Sequence, residues 1–140
     1  MPTTGHRDYS GTPLAHKLGV REGSRVLLIG APQGFTLGQV PDAVEIAASA
    51  RGRLDVVVLF VTRWSQLHRR FGAPARALDA AGRYWVAWPK KAAKVKTDLS
   101  FELVQRFGLE AGFVDNKSAS IDEVYQGLQF VYRLEDRPAR

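Results

Sequence analysis

The chain contains at residues 55–61 the sequence DVVVLFV, and this stretch decides the fold. It is apolar after its first residue, rich in β-branched side chains and free of glycine and proline, which is typical of a strand buried on both faces. The run RVLLIG at residues 25–30 has the same character. Two such runs predict a sheet whose two faces are both covered, as in parallel sheets.

Helical patterns flank these strands. A first helix is predicted from a cap at Thr12 and a proline at Pro13 to a left-handed turn at Gly19, with Leu14 and Leu18 on one face. This helix precedes the first apolar run and is expected to cover one face of the sheet.

The stretch between the two apolar runs is less regular. Residues 31–42 are rich in glycine and proline and predict a loop with at most one helical turn, and residues 43–47 predict a weak second strand. After the second run, residues 64–81 predict a helix that Gly72 and Pro74 bend or split.

The remaining residues predict one more helix, capped by Ser100 and closed by Gly112. Strands are expected around it at residues 83–88, 113–121 and 128–134. The link at residues 122–127 is short enough for the last two strands to pair antiparallel.

Strands that alternate with helices imply parallel pairing and right-handed crossovers. We therefore predict an α/β fold, a reduced Rossmann-like (methyltransferase-like) three-layer domain with a mostly parallel sheet and a C-terminal antiparallel strand. The length of 140 residues fits a single domain over residues 1–140, with fraying expected at residues 1–9 and 135–140.

Composition excludes several classes of function. The chain has no cysteine, which excludes disulfide frameworks, zinc fingers, cysteine nucleophiles and iron–sulfur clusters. The N-terminus is polar and the longest apolar stretch, residues 56–61, is too short to cross a bilayer, so a cytoplasmic protein without a membrane partner is expected.

A net charge of +6 favours anionic partners. No helix-turn-helix, RNP or zinc-knuckle motif is present, so at most weak, salt-sensitive nucleic-acid binding is expected.

Ligands of parallel sheets bind beyond the carboxyl ends of the strands. The residues that three strands are expected to bring to this edge form the predicted ligand-binding set: Gln33, Gly34, Arg63, Trp64, Trp88, Lys90 and Lys91. Their cationic groups suit an anionic ligand, and a flat ring could stack on a tryptophan. The alternative interpretation is that the tryptophans are core residues and the lysines are solvated.

The turn GAPQG at residues 30–34 follows a strand, as a dinucleotide-binding loop does. That loop requires G-x-G-x-x-G, whereas Pro32 stands in its middle and has no amide to donate. A methyltransferase would also carry an acidic residue at the end of its second strand, but Glu45 lies inside that strand and Ala47 stands at its end. The sequence thus argues against methyl transfer, and no cofactor is predicted.

A basic loop at residues 90–96 carries four lysines and leads to the helix capped by Ser100. An anion could lie between these lysines and the helix N-terminus, while Thr97 and Asp98 are better interpreted as shaping the turn. The three histidines, His6, His16 and His68, have no metal-ligand spacing. No catalytic residue and no metal site are predicted.

Several motifs are shared with one bacterial family. They are YSGTPLA at residues 9–15, KLG at 17–19, VLLIGAP at 26–32, WVAWPKK at 85–91, TDL at 97–99, VD at 114–115 with Lys117, and DE at 122–123 with GL at 127–128. On these motifs the chain resembles a domain-of-unknown-function family of small proteins common in actinobacteria. The resemblance implies a Rossmann-like fold and implies no activity. The chain departs from the family pattern at residues 124–126, where a Trp and a Ser are expected.

Together these features favour a non-catalytic Rossmann-like binding or regulatory module for a small anionic metabolite or a partner protein. One alternative is a reduced S-adenosylmethionine-dependent methyltransferase, which rests on fold analogy alone. Another is a weak nucleic-acid binder. The sequence leaves the ligand, the partner and the oligomeric state open.

Overall fold

A six-stranded mixed sheet is the central feature of the computed structural model, which describes residues 13–137. Its strands are β1 (Arg25–Ile29), β2 (Glu45–Ile46), β3 (Leu54–Phe60), β4 (Leu78–Pro89), β5 (Phe113–Ser120) and β6 (Tyr125–Tyr132). Their order is β2-β1-β3-β4-β6-β5. The first three neighbouring pairs are parallel and the last two are antiparallel. The predicted sheet, mostly parallel with an antiparallel C-terminal strand, is confirmed.

Helices cover the two faces of this sheet. They are α1 (Leu14–Lys17), α2 (Trp64–Arg70), α3 (Gly72–Ala77) and α4 (Phe101–Glu110), with 3-10 helices at Lys91–Ala93 and Leu134–Asp136. Helices α2 to α4 pack on one face and α1 packs on the other, together with the loop after β1.

Alternation along β3 explains why both faces are apolar. Val57 and Leu59 belong to the core beneath α2 and α4, whereas Val56 and Val58 belong to the core beneath α1. Successive strand side chains point to opposite faces, so a strand between two layers needs apolar residues at every position. This is the physical reason for the unbroken run at residues 55–61.

The helix predicted over residues 64–81 is shorter in the structure. Gly72 and Pro74 do split it, because α2 ends at Arg70 and α3 begins at Gly72. Leu78, however, is extended and buried and pairs with Leu54 of β3, so β4 begins well before the predicted residue 83. Burial of Leu78 against the neighbouring strand outweighs the helical propensity of the alanines that follow it.

The second strand is also shorter than predicted. Residues 43–47 were expected to be extended, but β2 holds only Glu45–Ile46, and both of these residues are exposed. Ala43 adopts a φ of 62°, which interrupts the extended backbone before the strand. The loop predicted at residues 31–42 contains no helical turn.

The C-terminal elements follow the prediction with shifted bounds. The Ser100 hydroxyl accepts a hydrogen bond from the Leu103 amide at 3.2 Å and caps α4, as expected. The turn between β5 and β6 covers residues 121–124 rather than 122–127, because the Asp122 carboxylate accepts the amides of Val124 (2.9 Å) and Tyr125 (2.7 Å). These bonds close the turn early and let β6 begin at Tyr125.

At the ends of the chain, Gly19 has the predicted left-handed φ of 87°, and Pro13 lies just before the first helical residue. Thr12, the predicted cap, lies outside the described residues. Leu134–Asp136 form a 3-10 helix, whereas fraying was predicted from residue 135. No helix between residues 13 and 137 combines the length and apolar character needed to span a membrane.

Candidate functional site

The carboxyl ends of β1, β3 and β4 lie at one edge of the sheet, because these strands are parallel. The predicted ligand-binding residues belong to the segments 31–34, 62–64 and 88–91, which follow or end these three strands and so lie at this edge. We call it the carboxyl edge. It is where α/β folds bind their ligands, because the connections leave a crevice beyond the strand ends.

The two tryptophans at the carboxyl edge are largely used in packing. Trp88 is 2% exposed and belongs to the core, with its ring centroid 6.4 Å from that of Phe101. Trp64 is half-buried against the rings of His68 (4.9 Å) and Phe107 (5.6 Å). Phe101 at this edge is 42% exposed, and it was not among the ligand-binding residues predicted from the sequence.

Protein side chains already bind the backbone amides at the start of α2. The amides of Thr62 and Arg63 donate to the Gln66 side-chain oxygen at 2.8 and 3.2 Å. The Trp64 amide donates to the Asp98 carboxylate at 2.7 Å. Asp98, interpreted from sequence as a turn residue, is therefore a helix cap in the tertiary structure. No anion-binding amides remain at residues 62–64.

One groove at the carboxyl edge does contain two of the predicted residues. It lies between the start of α4 and the β5–β6 hairpin, and we call it the hairpin groove. Its volume is about 330 Å³, and its lining residues are Trp88, Lys90, Phe101, Ser118, Ala119, Ser120 and Gln126. The residues from β5 and β6 had no sequence signal, because small polar side chains on a strand are ordinary solvent-facing residues.

Lys90 is the cation of the hairpin groove. Its Nζ donates to the Ser120 hydroxyl at 2.7 Å, and its backbone amide donates to the Val124 carbonyl at 2.7 Å. None of the ion pairs within residues 13–137 includes Lys90. The ammonium charge is thus held in place by a neutral hydroxyl and is not neutralised by a carboxylate.

The other predicted residues do not join Lys90. Lys91 is exposed at the start of the 3-10 helix, and Arg63, Gln33 and Gly34 are exposed and do not line the hairpin groove. The loop that carries the lysines is anchored by the Thr97 hydroxyl, which donates to a backbone carbonyl at 2.7 Å. Of the two adjacent lysines, Lys90 therefore lines the hairpin groove, whereas Lys91 is exposed to solvent.

The turn after β1 is shaped by packing. Gly30 has a φ of 71°, and a Cβ at this position would lie 2.7 Å from the Phe60 carbonyl oxygen. The Phe35 ring contacts Phe60 at 5.0 Å, and Phe60 contacts Tyr125 at 5.2 Å. Aromatic rings thus pack directly behind the turn, and the glycine is required by the neighbouring strand.

Side chains able to bind metals do not converge in the part of the chain that the structure describes, where no three His, Cys, Asp or Glu residues form a group. His16 and His68 are exposed on different helices, and His6 lies outside the described residues. Asp115, near the start of β5, accepts a hydrogen bond from Gln105 at 3.0 Å.

Comparison with solved structures shows a likeness of fold. A chain of a fibrillarin/Nop5p complex superposes with a TM-score of 0.53 at 14% identity, covering 87% of this chain and 83% of that one. A pericyclic reaction enzyme gives a TM-score of 0.55 at 12% identity, and LepI in complex with SAH and a substrate analogue gives 0.50 at 11%. Each of these two covers 95% of this chain, which spans 50% of their length. No protein-family model and no curated protein sequence matches the chain.

The fold is therefore that of methyltransferase-like Rossmann proteins. This fold family implies S-adenosylmethionine, which would bind beyond the first two strands on a glycine-rich turn that leads into a helix. Within residues 13–137, no helix follows β1 or β2. Glu45, the acidic residue of β2, forms an ion pair with Arg25 at 3.2 Å. These residues do not fit the cofactor.

Proposed function

We propose that this protein is a non-catalytic Rossmann-like binding module whose ligand occupies the hairpin groove. The ligand class is a small metabolite that joins an anionic group to a flat or apolar part. The observation that carries the proposal is Lys90, a cation that pairs with no carboxylate of residues 13–137, in a groove of about 330 Å³ beside the exposed ring of Phe101.

The cationic side of the groove supports an anionic ligand. Lys90 is half-buried, so an ion pair made there would be less screened by water and salt than one on open surface. The Ser118 hydroxyl and the Gln126 amide line the same groove and supply hydrogen-bond donors for the remaining oxygens of the anion, because Gln126 uses only one of its two N–H groups on the Pro89 carbonyl at 3.3 Å.

The apolar side supports a flat group. The Phe101 ring stands at the start of α4, and Trp88, whose ring centroid is 6.4 Å away, lines the same groove. An aromatic ligand ring packed edge-to-face or offset on Phe101 would gain about 0.5–1.5 kcal/mol beyond the area it buries. The ring on which a ligand would stack is therefore Phe101 rather than the predicted Trp64 or Trp88.

A binding role is favoured over catalysis because the hydroxyl beside Lys90 is not paired with a base. The Lys90 ammonium donates to Ser120, and the Ser120 hydroxyl donates to the Asp122 backbone carbonyl at 3.2 Å. Activation of a hydroxyl nucleophile needs a neighbouring base that accepts its proton. The family resemblance is consistent with this proposal, because its specific block, residues 88–99, contributes Trp88 and Lys90 to the groove and ends next to α4.

The test compares AMP, adenosine and inorganic phosphate as probes, by thermal shift and isothermal titration calorimetry. AMP is expected to bind more tightly than either component, because it joins a phosphate to a flat ring. A ligand at 100 times its dissociation constant adds about 2.7 kcal/mol, or roughly 3–6 °C in Tm. A shift with S-adenosylhomocysteine but none with phosphates would favour the methyltransferase alternative.

Two variants locate the site. Lys90→Met should abolish AMP binding, whereas Lys91→Met, which changes the adjacent solvated lysine, should leave the affinity within about twofold. Equal affinities of wild type and Lys90→Met would refute the assignment to the groove. If no phosphate, nucleotide or sugar phosphate shifts Tm, a protein partner becomes the better proposal, and capture of partners from the native cell would follow.

A further inference from the structure

A second cluster of cations lies away from the hairpin groove, around the C-terminal end of α1. It consists of four residues: Lys17, which ends α1, Arg21, four residues further along the chain, Arg83 from β4 and Lys117 from β5. We call it the α1 cluster. None of these residues was predicted from the sequence to bind a ligand, although Lys17 and Lys117 belong to the motifs shared with the family, because they are separated by up to 100 positions in the chain.

Arg83 is held beneath the turn that ends α1. A Cβ on Gly19 would overlap the Arg83 side chain, so the glycine leaves room for the guanidinium to pass. The Arg83 Nη1 lies 3.5 Å from the Gln129 side-chain oxygen, which is neutral. Burial, and to a lesser extent the nearby Arg21, lowers the pKa of Arg83 below its ordinary value.

Lys117, on β5, also lies near Arg83 and the C-terminal end of α1. Its Nζ donates to the Lys17 carbonyl at 2.8 Å and lies 5.9 Å from the centroid of the Trp85 ring. The pKa of Lys117 is lowered by burial, by Arg83 and by Lys17. The Lys17 carbonyl at the C-terminal end of α1 and the face of the Trp85 ring partly stabilise the Lys117 ammonium, but neither carries a full negative charge.

A groove of about 430 Å³ opens beside Arg83. Its lining includes four arginines, Arg21, Arg53, Arg83 and Arg137, and three carboxylates, Glu22, Asp55 and Asp79, whereas Lys117 is not part of the lining. Two of these carboxylates are engaged by Arg53, at 3.7 Å from Asp55 and 3.8 Å from Asp79. Across residues 13–137, no carboxylate lies within 4.0 Å of a nitrogen of Arg21, Arg83 or Lys117.

We propose that Arg21, Arg83 and Lys117 form a second ligand site, which binds a phosphate-type oxyanion. The planar guanidinium of Arg83 can donate two parallel hydrogen bonds to such a group, and the Lys117 ammonium adds a third donor. A bound dianion would relieve the mutual repulsion of these cations. The site is independent of the proposed function, because Lys90 follows the end of β4 and lies roughly 23 Å from Arg83 along the strand direction, at about 3.3 Å per residue.

The experiment titrates inorganic tripolyphosphate, and separately a short single-stranded oligonucleotide, into the full chain at low salt. Arg83→Met and Lys117→Met keep an unbranched apolar stem and remove the charge. Each is expected to weaken binding at least about tenfold, because one charge-assisted hydrogen bond is worth about 1.5–3 kcal/mol. Lys91→Met, which removes a solvated lysine outside both grooves, is the control and should leave tripolyphosphate affinity unchanged, and Lys90→Met reports any binding at the hairpin groove.

The two probes distinguish a small phosphate from a nucleic-acid backbone, and loss of affinity for either one in both variants supports the site. Wild-type affinity in both variants, or loss in Lys90→Met alone, overturns it. Lys117 is exposed, so Lys117→Met remains a usable test if Arg83→Met fails to fold. Arg83→Lys should bind with intermediate affinity, since it keeps the charge and loses the paired donors.

Discussion

The close packing of α4 on the sheet places Phe101 at the hairpin groove, and the lack of a side chain at Gly108 allows this packing. Gly108 is buried in α4, and a Cβ at this position would lie 2.5 Å or less from three carbons of the Phe130 ring. Phe130 is fully buried in the core. We therefore expect Gly108→Ala to destabilise the protein, although an alanine in a helix is normally favourable.

The magnitude follows from two opposing terms. Alanine gains about 1 kcal/mol of helix propensity over glycine. Carbon atoms pack at about 3.5–4.0 Å, so the helix or the ring must move by at least about 1 Å. Overpacking of this kind costs about 1–3 kcal/mol, and the buried ring has little room to yield, so the upper end applies. The net loss is about 1–2 kcal/mol, or roughly 5 °C in Tm.

Urea denaturation followed by far-UV circular dichroism measures this loss directly. A second variant, Phe130→Leu, removes the atoms that overlap, so the double variant should be more stable than the sum of the single effects by at least about 1 kcal/mol. Stabilisation by Gly108→Ala alone, as for an exposed helical glycine, would refute the close packing of α4 on β6.

Three further predictions concern the carboxyl edge and the core. Asp98→Ala should lose the cap on the Trp64 amide and destabilise α2 by about 1 kcal/mol in urea denaturation, with Asp98→Asn milder. Burial raises the pKa of Tyr84 above its ordinary value of 10.0, so the contribution of Tyr84 to stability should be constant below that pH and decrease as the pH rises above it. Tyr84→Phe should flatten that fall in a pH series of unfolding curves. Gly30→Ala should cost about 2–3 kcal/mol, because it adds a clash with a carbonyl to the strain of a positive φ, whereas Gly34→Ala, with open space around it, should cost about 1 kcal/mol. Equal costs would contradict the role assigned to the Gly30 turn.

The sequence by itself determined the features that depend on neighbouring residues. A strand buried on both faces must be apolar at each position, so residues 25–30 and 55–61 were readable as central strands. A cap is a contact over three residues, so Ser100 was readable as the start of α4. Alternation of strands and helices then limited the topology to a mostly parallel sheet.

Only the tertiary structure decided which side chains meet. Asp98 caps Trp64 across 34 residues, Lys90 contacts Ser120 across 30, and Lys117 reaches Lys17 across 100. Periodicity tells which face of a strand a residue occupies, but it carries no information about the strand beside it. Both candidate sites are built from such neighbours. The order β4-β6-β5 brings the polar hairpin to Lys90, and it also brings β5 under the end of α1.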